Sequence, residues 1–140
     1  MSKEAIVCVD DEPLVLRAMS RILSRKLGER YEIEMATNGA EALELIEELD
    51  NEQTSLRMVV SDAMMPVMDG YELIRWLHEN RPRVPKIIVT GYGQQAKLDQ
   101  LREEAGLLAS FDKPWEPDEL VAFIRQTLEG PDPDSNTPAD

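Results

Sequence analysis

The chain has 140 residues, 42% of them apolar and 31% charged, the makeup of one soluble globular domain large enough to bury a single core. Its formal net charge of −13 repels phosphate backbones, which argues against direct nucleic-acid binding. No apolar run approaches the roughly 18 residues of a membrane helix and no signal peptide opens the chain, so the expected location is the cytoplasm. Cys8 is the sole cysteine; it rules out an intrachain disulfide and, inside an apolar run, reads as a small core residue.

Apolar runs alternate with helix-period segments about five times, the pattern of βαβ units and a parallel sheet. The first strand is expected over Ala5–Val9, ending at Asp10 and Asp11. Pro13 suits a first helical turn, and Val15, Leu16, Met19, Ile22, Leu23 and Leu27 recur at helical spacing up to Gly28. Tyr31–Ala36 reads as a second strand. Asn38 with Glu41 forms a capping-box pattern ahead of a helix whose inward stripe is Ala42, Leu45, Ile46 and Leu49. Leu56–Ser61 is short and almost continuously apolar, which fits a central strand, and it ends at Asp62. Asp69-Gly70 signals a turn into a helix carrying Leu73, Ile74 and Leu77. Pro82 and Pro85 stop that helix before a fourth strand, Lys86–Val89, which ends at Thr90. A loop at Gly91-Tyr92-Gly93 leads to the most polar helix, about Gln94–Glu104, with Ala96, Leu98, Leu101 and Ala105 as its apolar residues. Leu107–Phe111 is expected as the fifth strand, ahead of Lys113-Pro114. Pro117 opens a last helix with Leu120, Val121, Ile124 and Leu128 on one face. Residues 130–140 hold three prolines and three aspartates without a large apolar side chain, the composition of a disordered tail or linker stump. The globular domain is thus expected over residues 1–129.

In an open parallel α/β sheet, ligands bind just beyond the carboxyl ends of the strands. Here those ends deliver three carboxylates, a hydroxyl and an ammonium. Asp10-Asp11 alone suits helix capping as well as a metal, but Asp62 adds a third carboxylate from another strand. Two or three carboxylates plus substrate phosphate suit Mg²⁺, which takes octahedral oxygen ligands and keeps several waters. Zinc is disfavoured, because His78 is the only histidine, has no thiolate partner and reads as a solvent-facing helix residue. A carboxylate so placed can also act as a nucleophile and form an aspartyl-phosphate. Lys113 and Thr90 would then meet the charge on the phosphoryl oxygens.

Asp10-Asp11-Glu12, Ser61-Asp62 with Met65-Pro66-Val67-Met68-Asp69-Gly70, Val89-Thr90-Gly91 and Asp112-Lys113-Pro114-Trp115 resemble the receiver domain of two-component response regulators, over about Ala5–Leu128. The resemblance implies a flavodoxin-like, doubly wound (βα)5 fold of the CheY-like kind, with a parallel five-stranded sheet of order 2-1-3-4-5. It implies that Asp62 accepts phosphate from a histidine kinase or phosphotransfer protein, that Asp10, Asp11, Asp62 and the Met64 backbone carbonyl hold Mg²⁺, and that Thr90 and Lys113 contact the phosphoryl group. The domain is then a switch with only its own phosphotransfer and dephosphorylation chemistry, acting on a downstream partner or a fused output domain. The face of the fourth helix, fifth strand and fifth helix is the family's usual interaction surface and a possible homodimer contact, and it offers Gln94, Lys97 and Arg102 as exposed groups.

Two other classes stand beside this one. A haloacid-dehalogenase-type phosphohydrolase also uses an aspartyl-phosphate, but carries a second aspartate where this chain has Met64. A non-phosphorylated docking module on the same fold is the other.

The chain also departs from the pattern. Receiver domains usually place an aromatic residue three positions before the lysine, where Ser110 stands here. Phe111 is expected on the opposite side of the strand, in the core. Any relay of the signal then runs through Thr90 and the loop after it. Met64 and Tyr92 sit where the family tunes the access of hydrolytic water, and their bulk predicts a long-lived phosphoryl group. Trp115 either covers the rim of the site or plugs the space under the last helix.

Overall fold

The computed structural model describes residues 3–91 and 94–130. Expectations for Tyr92, Gly93 and the tail at 131–140 lie outside the described residues. Among the described residues ten elements alternate: β1 Glu4–Val9, α1 Pro13–Leu27, β2 Glu32–Ala36, α2 Gly39–Asn51, β3 Ser55–Ser61, α3 Gly70–Asn80, β4 Lys86–Thr90, α4 Gln95–Glu104, β5 Ala109–Asp112 and α5 Pro117–Glu129. The strands form one parallel sheet in the order β2-β1-β3-β4-β5, as the resemblance implied.

Strand alternation sorts the core onto the two faces of the sheet. Val7, Val9, Val59 and Ile88 face α2, α3 and α4. Ile6, Cys8, Met58, Val60, Ile87 and Val89 face α1 and α5. Both faces of β1, β3 and β4 are therefore covered, which is why these strands read as unbroken apolar runs. Cys8 is fully buried, and burial alone pushes its thiol up to about 12.

Helix starts follow local chemistry. The Asn38 side chain accepts the Glu41 N–H at 2.8 Å and the Asp69 side chain accepts the Glu72 N–H at 2.9 Å, each satisfying an end group that has no partner inside its helix. Glu41 reaches back to the Thr37 N–H at 2.9 Å rather than to Asn38. His78 is exposed, in the last turn of α3.

Two boundaries differ from expectation. Tyr31 is not the first residue of β2; its N–H donates to the Leu27 carbonyl and its ring turns inward, so pairing starts at Glu32. The fifth strand begins at Ala109, two residues late. Gly106 has a φ of +67°, a conformation glycine takes readily, and Leu107 is drawn into the core beside α4 before the chain joins the sheet.

Candidate functional site

The carboxyl ends of β1, β3, β4 and β5 converge as the topology requires. Asp10, just past β1, is 3% exposed; its Oδ1 accepts the Glu12 N–H at 2.9 Å, which aims its Oδ2 across the sheet edge. Asp62, just past β3, is 6% exposed. Its backbone N–H donates to the Val9 carbonyl at 2.8 Å and its Oδ1 accepts the Ala63 N–H at 2.7 Å. Asp11 is exposed. One ligand oxygen from each of Asp10, Asp11 and Asp62 lies within 4.8 Å of the others.

Lys113 follows β5 and reaches back between the two buried carboxylates. Its Nζ donates to Asp10 Oδ2 at 2.6 Å and to Asp62 Oδ2 at 3.2 Å, with Glu12 Oε1 at 3.6 Å. Its own backbone N–H donates to the Thr90 carbonyl at 3.2 Å, which ties the lysine to the end of β4. Thr90 is buried, and with Asp11, Glu12, Asp62, Met64, Gly91 and Lys113 it lines a cavity of about 400 Å³.

Charge sets the behaviour of these groups. Burial pushes the Asp10 carboxyl above the usual carboxylate range; the Lys113 hydrogen bond and the Glu12 N–H pull it back, and the Asp62 charge raises it again. Burial works against the Lys113 ammonium, yet its bonds to Asp10 and Asp62 outweigh that cost and hold it above the ordinary lysine value. The two directions are compatible, because the lysine gains two anionic partners while Asp10 gains one cation and one anion. Three clustered oxygen donors, two of them buried, fit a hard divalent cation. A cation there would compete with Lys113 for Asp10 and Asp62, leaving the ammonium available to a phosphoryl oxygen.

Every candidate named from the sequence lies at this edge: Asp10, Asp11, Asp62, Thr90 and Lys113, with Met64 half-exposed on the cavity wall. Sequence reasoning gave Glu12 no role, although it stands beside the aspartate pair and faces Lys113. Trp115 is partly buried against the α1/α5 core and also lines an open apolar groove of about 490 Å³ with Leu14, Val15, Ala18, Pro114 and Pro117, next to Lys113. The ring thus serves both as plug and as rim. Leu14 in that groove is 77% exposed.

Residues 6–125 match the model of the response regulator receiver domain. The chain belongs to that family. It is 34% identical over 127 residues to sensor kinase CckA of Brucella abortus (strain 2308), covering 91% of this chain and 13% of the kinase. It is 30% identical over 130 residues to sporulation initiation phosphotransferase F of Bacillus subtilis (strain 168), covering 91% of this chain and 96% of that protein. It spans between 24% and 56% of the length of six other curated relatives. Among solved structures, the CheY-like response regulator receiver domain protein from Methanospirillum hungatei JF-1 is similar with a TM-score of 0.77 and 32% identity, over 92% of this chain and 95% of that one.

At β5 the two neighbouring side chains point to opposite sides, as strand alternation predicts. Ser110 accepts a hydrogen bond from Arg102 Nη2 of α4 at 3.0 Å. Phe111 faces the other side of the strand and meets Phe123 of α5 edge-on, with ring centroids 5.3 Å apart. No aromatic ring occupies position 110, and Phe111 is partly buried against the α1/α5 core.

Proposed function

We propose that this receiver is a phosphorylation switch in which Asp62 is the phosphoacceptor. The observation that carries the reading is the Lys113 ammonium placed between Asp10 and Asp62, in one cavity with Asp11 and Thr90. An Asp62 oxygen would attack the phosphorus of a phosphohistidine. The O–P bond forms as the N–P bond breaks, and the imidazole leaves with the electron pair and takes a proton. Mg²⁺ held by Asp10, Asp11, Asp62 and the Met64 carbonyl would offset charge on the phosphoryl oxygens. Lys113 would meet a second oxygen and the Thr90 hydroxyl would donate to a third, so that positioning and fixed charge lower the barrier. The donor would be a histidine kinase or phosphotransfer protein, and the open groove beside Lys113 leaves room for its approach. The Met64 side chain, 51% exposed on the cavity wall, would hinder hydrolytic water and lengthen the life of the phosphoryl group. The output would be a partner or a fused domain, with the α4–β5–α5 face as the contact and a possible homodimer surface, acting in the cytoplasm.

Incubation with a small-molecule phosphodonor, with and without Mg²⁺, followed by intact mass, tests the reading. The expected result is a Mg²⁺-dependent gain of one phosphoryl group that Asp62→Asn abolishes. Sustained donor hydrolysis at enzymatic rates would instead indicate a phosphohydrolase, and no adduct under any condition a docking module.

A further inference from the structure

With Ser110 in place of a ring, the route from the phosphoacceptor to α4 has to use other side chains, and one buried aromatic already spans it. Tyr71 is the second residue of α3. The residue before it, Gly70, is pressed against the phosphoacceptor: a Cβ there would lie 2.0 Å from the Asp62 carbonyl oxygen. The Tyr71 side chain is buried, and its hydroxyl accepts the Gln94 N–H at 3.2 Å, at the start of α4. Lys97 of α4 sits over the same ring, 5.1 Å from its centroid. Tyr71 therefore touches α4 at its first turn while its own backbone adjoins Asp62.

The α4 helix is poorly fixed by other means. Its buried side chains are Leu98 and Leu101, and the Gln94 side chain makes no cap. Towards α3 it faces a cleft of about 250 Å³ lined by Tyr71, Arg75, Lys97 and Gln100, bridged further along by Arg75 and Glu104 at 3.6 Å. Polar ties across a gap let a helix shift at lower cost than interlocked apolar side chains do. The Tyr71–Gln94 bond is also at the long end of its range, so a displacement of roughly half an ångström would break it.

We propose that the Tyr71 hydroxyl is a latch that holds the first turn of α4 in the unphosphorylated protein and releases it when Asp62 is phosphorylated. The release step rests on the reading of Asp62 as phosphoacceptor. A phosphoryl group on Asp62 attracts the Thr90 hydroxyl, which lines the same cavity. Only three residues separate Thr90 from Gln94, so that movement bears directly on the latched N–H. Tyr71 is a positioning residue and touches no reacting atom.

Hydrogen exchange by mass spectrometry on the full chain tests this, comparing wild type with Tyr71→Phe before and after labelling by a small-molecule phosphodonor with Mg²⁺. The substitution removes the hydroxyl and keeps the ring. Losing one net hydrogen bond corresponds to roughly fivefold faster exchange, expected at 94–98 in wild type only after phosphorylation. Tyr71→Phe is expected to show that fast exchange without phosphate, to change less than about twofold on labelling, and to take up label to the wild-type extent, with α5 unchanged. Equal exchange in the two unphosphorylated proteins would overturn the latch, as would a full phosphate response in Tyr71→Phe. If wild type takes up no label, the phosphoacceptor reading fails and the release step with it, while the unphosphorylated pair still decides whether Tyr71 holds α4.

Discussion

Two lysines, one partly and one fully buried, lie at opposite ends of the sheet, and their environments push them in opposite directions. Lys113, at the carboxyl edge, sits among Asp10, Asp62 and Glu12 and is held above the ordinary lysine value. Lys86, at the amino edge in the first position of β4, is 2% exposed, and burial alone lowers its value. Its Nζ reaches the space beside Gly106 and the His78 ring, 3.8 Å from where a Cβ on Gly106 would lie. The contrast separates a built site from mere burial. Clustered charges of opposite sign mark the edge where chemistry can occur; a lysine with only desolvation to shift it marks a place where a long side chain crosses the core to reach the rim.

The largest expected effect is at Lys113. Lys113→Gln leaves Asp10 and Asp62 buried without their cation, and breaking such a pair costs about 3 kcal/mol. The loss should appear in urea denaturation without divalent ions and be largely recovered in saturating Mg²⁺, while the phosphodonor labelling rate falls roughly 100-fold. A variant as stable as wild type without Mg²⁺ would show that the ammonium is not neutralising the pair.

A smaller effect is expected at Asp10, where the sign follows from its raised value. Its ionisation is opposed by the fold, so the penalty is absent below the unfolded value near ~3.9, grows as pH rises through the raised folded value, and is complete above it. Wild type without Mg²⁺ should therefore lose stability across that window relative to Asp10→Asn. Parallel stability curves for the two proteins from pH 3 to pH 7 would contradict the assignment.

The smallest effect is at Lys86. Replacing this buried lysine, whose value only desolvation shifts, by an apolar side chain of similar length should stabilise the domain by about 1 kcal/mol or less at neutral pH. Lys86→Met should leave phosphodonor labelling within about twofold of wild type, since the edge that carries the charge cluster is at the far end of the sheet. The lysines differ in sign as well. The Lys86 penalty is complete below its lowered folded value and vanishes above the ordinary one near ~10.4, so the advantage of Lys86→Met shrinks as pH rises. The Lys113 contribution is complete below that ordinary value and is lost only as pH passes its raised folded one.

The carboxyl edge was legible because each of its residues ends an apolar run, and parallel topology brings such ends together whatever their separation in sequence. Ser110 and Phe111 were legible too, since strand alternation fixes which of two neighbours faces which side. Lys86 was not, because an apolar run that opens on a lysine looks the same whether the amine is in solvent or crosses the core. The bridge from Lys113 to Asp10 joins residues 103 apart; sequence could place both at one edge but could not give the distance between them. The start of β5 was misplaced because Leu107 is as apolar as a strand residue, and only the turn at Gly106 sends it elsewhere. Tyr71 escaped notice because, at the start of a helix, it reads as ordinary core, and its hydroxyl partner lies on another helix.

The loop beneath Asp62 contains a turn of an unusual kind. Val67 has a φ of +70°, and around it the Met68 N–H closes back on the Pro66 carbonyl at 2.8 Å, a γ-turn of the rare positive-φ form. A β-branched residue held this way costs on the order of 1–3 kcal/mol, and its side chain, 81% exposed, recovers little of that through packing. The surrounding bonds keep it in place: the Gly39 N–H to the Met68 carbonyl at 2.9 Å and the Gly70 N–H to the Ala63 carbonyl at 2.8 Å. The consequence is mechanical. The ground under Asp62 is braced like a tensioned arch, so under the proposed function a group attached to Asp62 would meet a stiff floor on the β3 side and find yield on the side of β4 and α4.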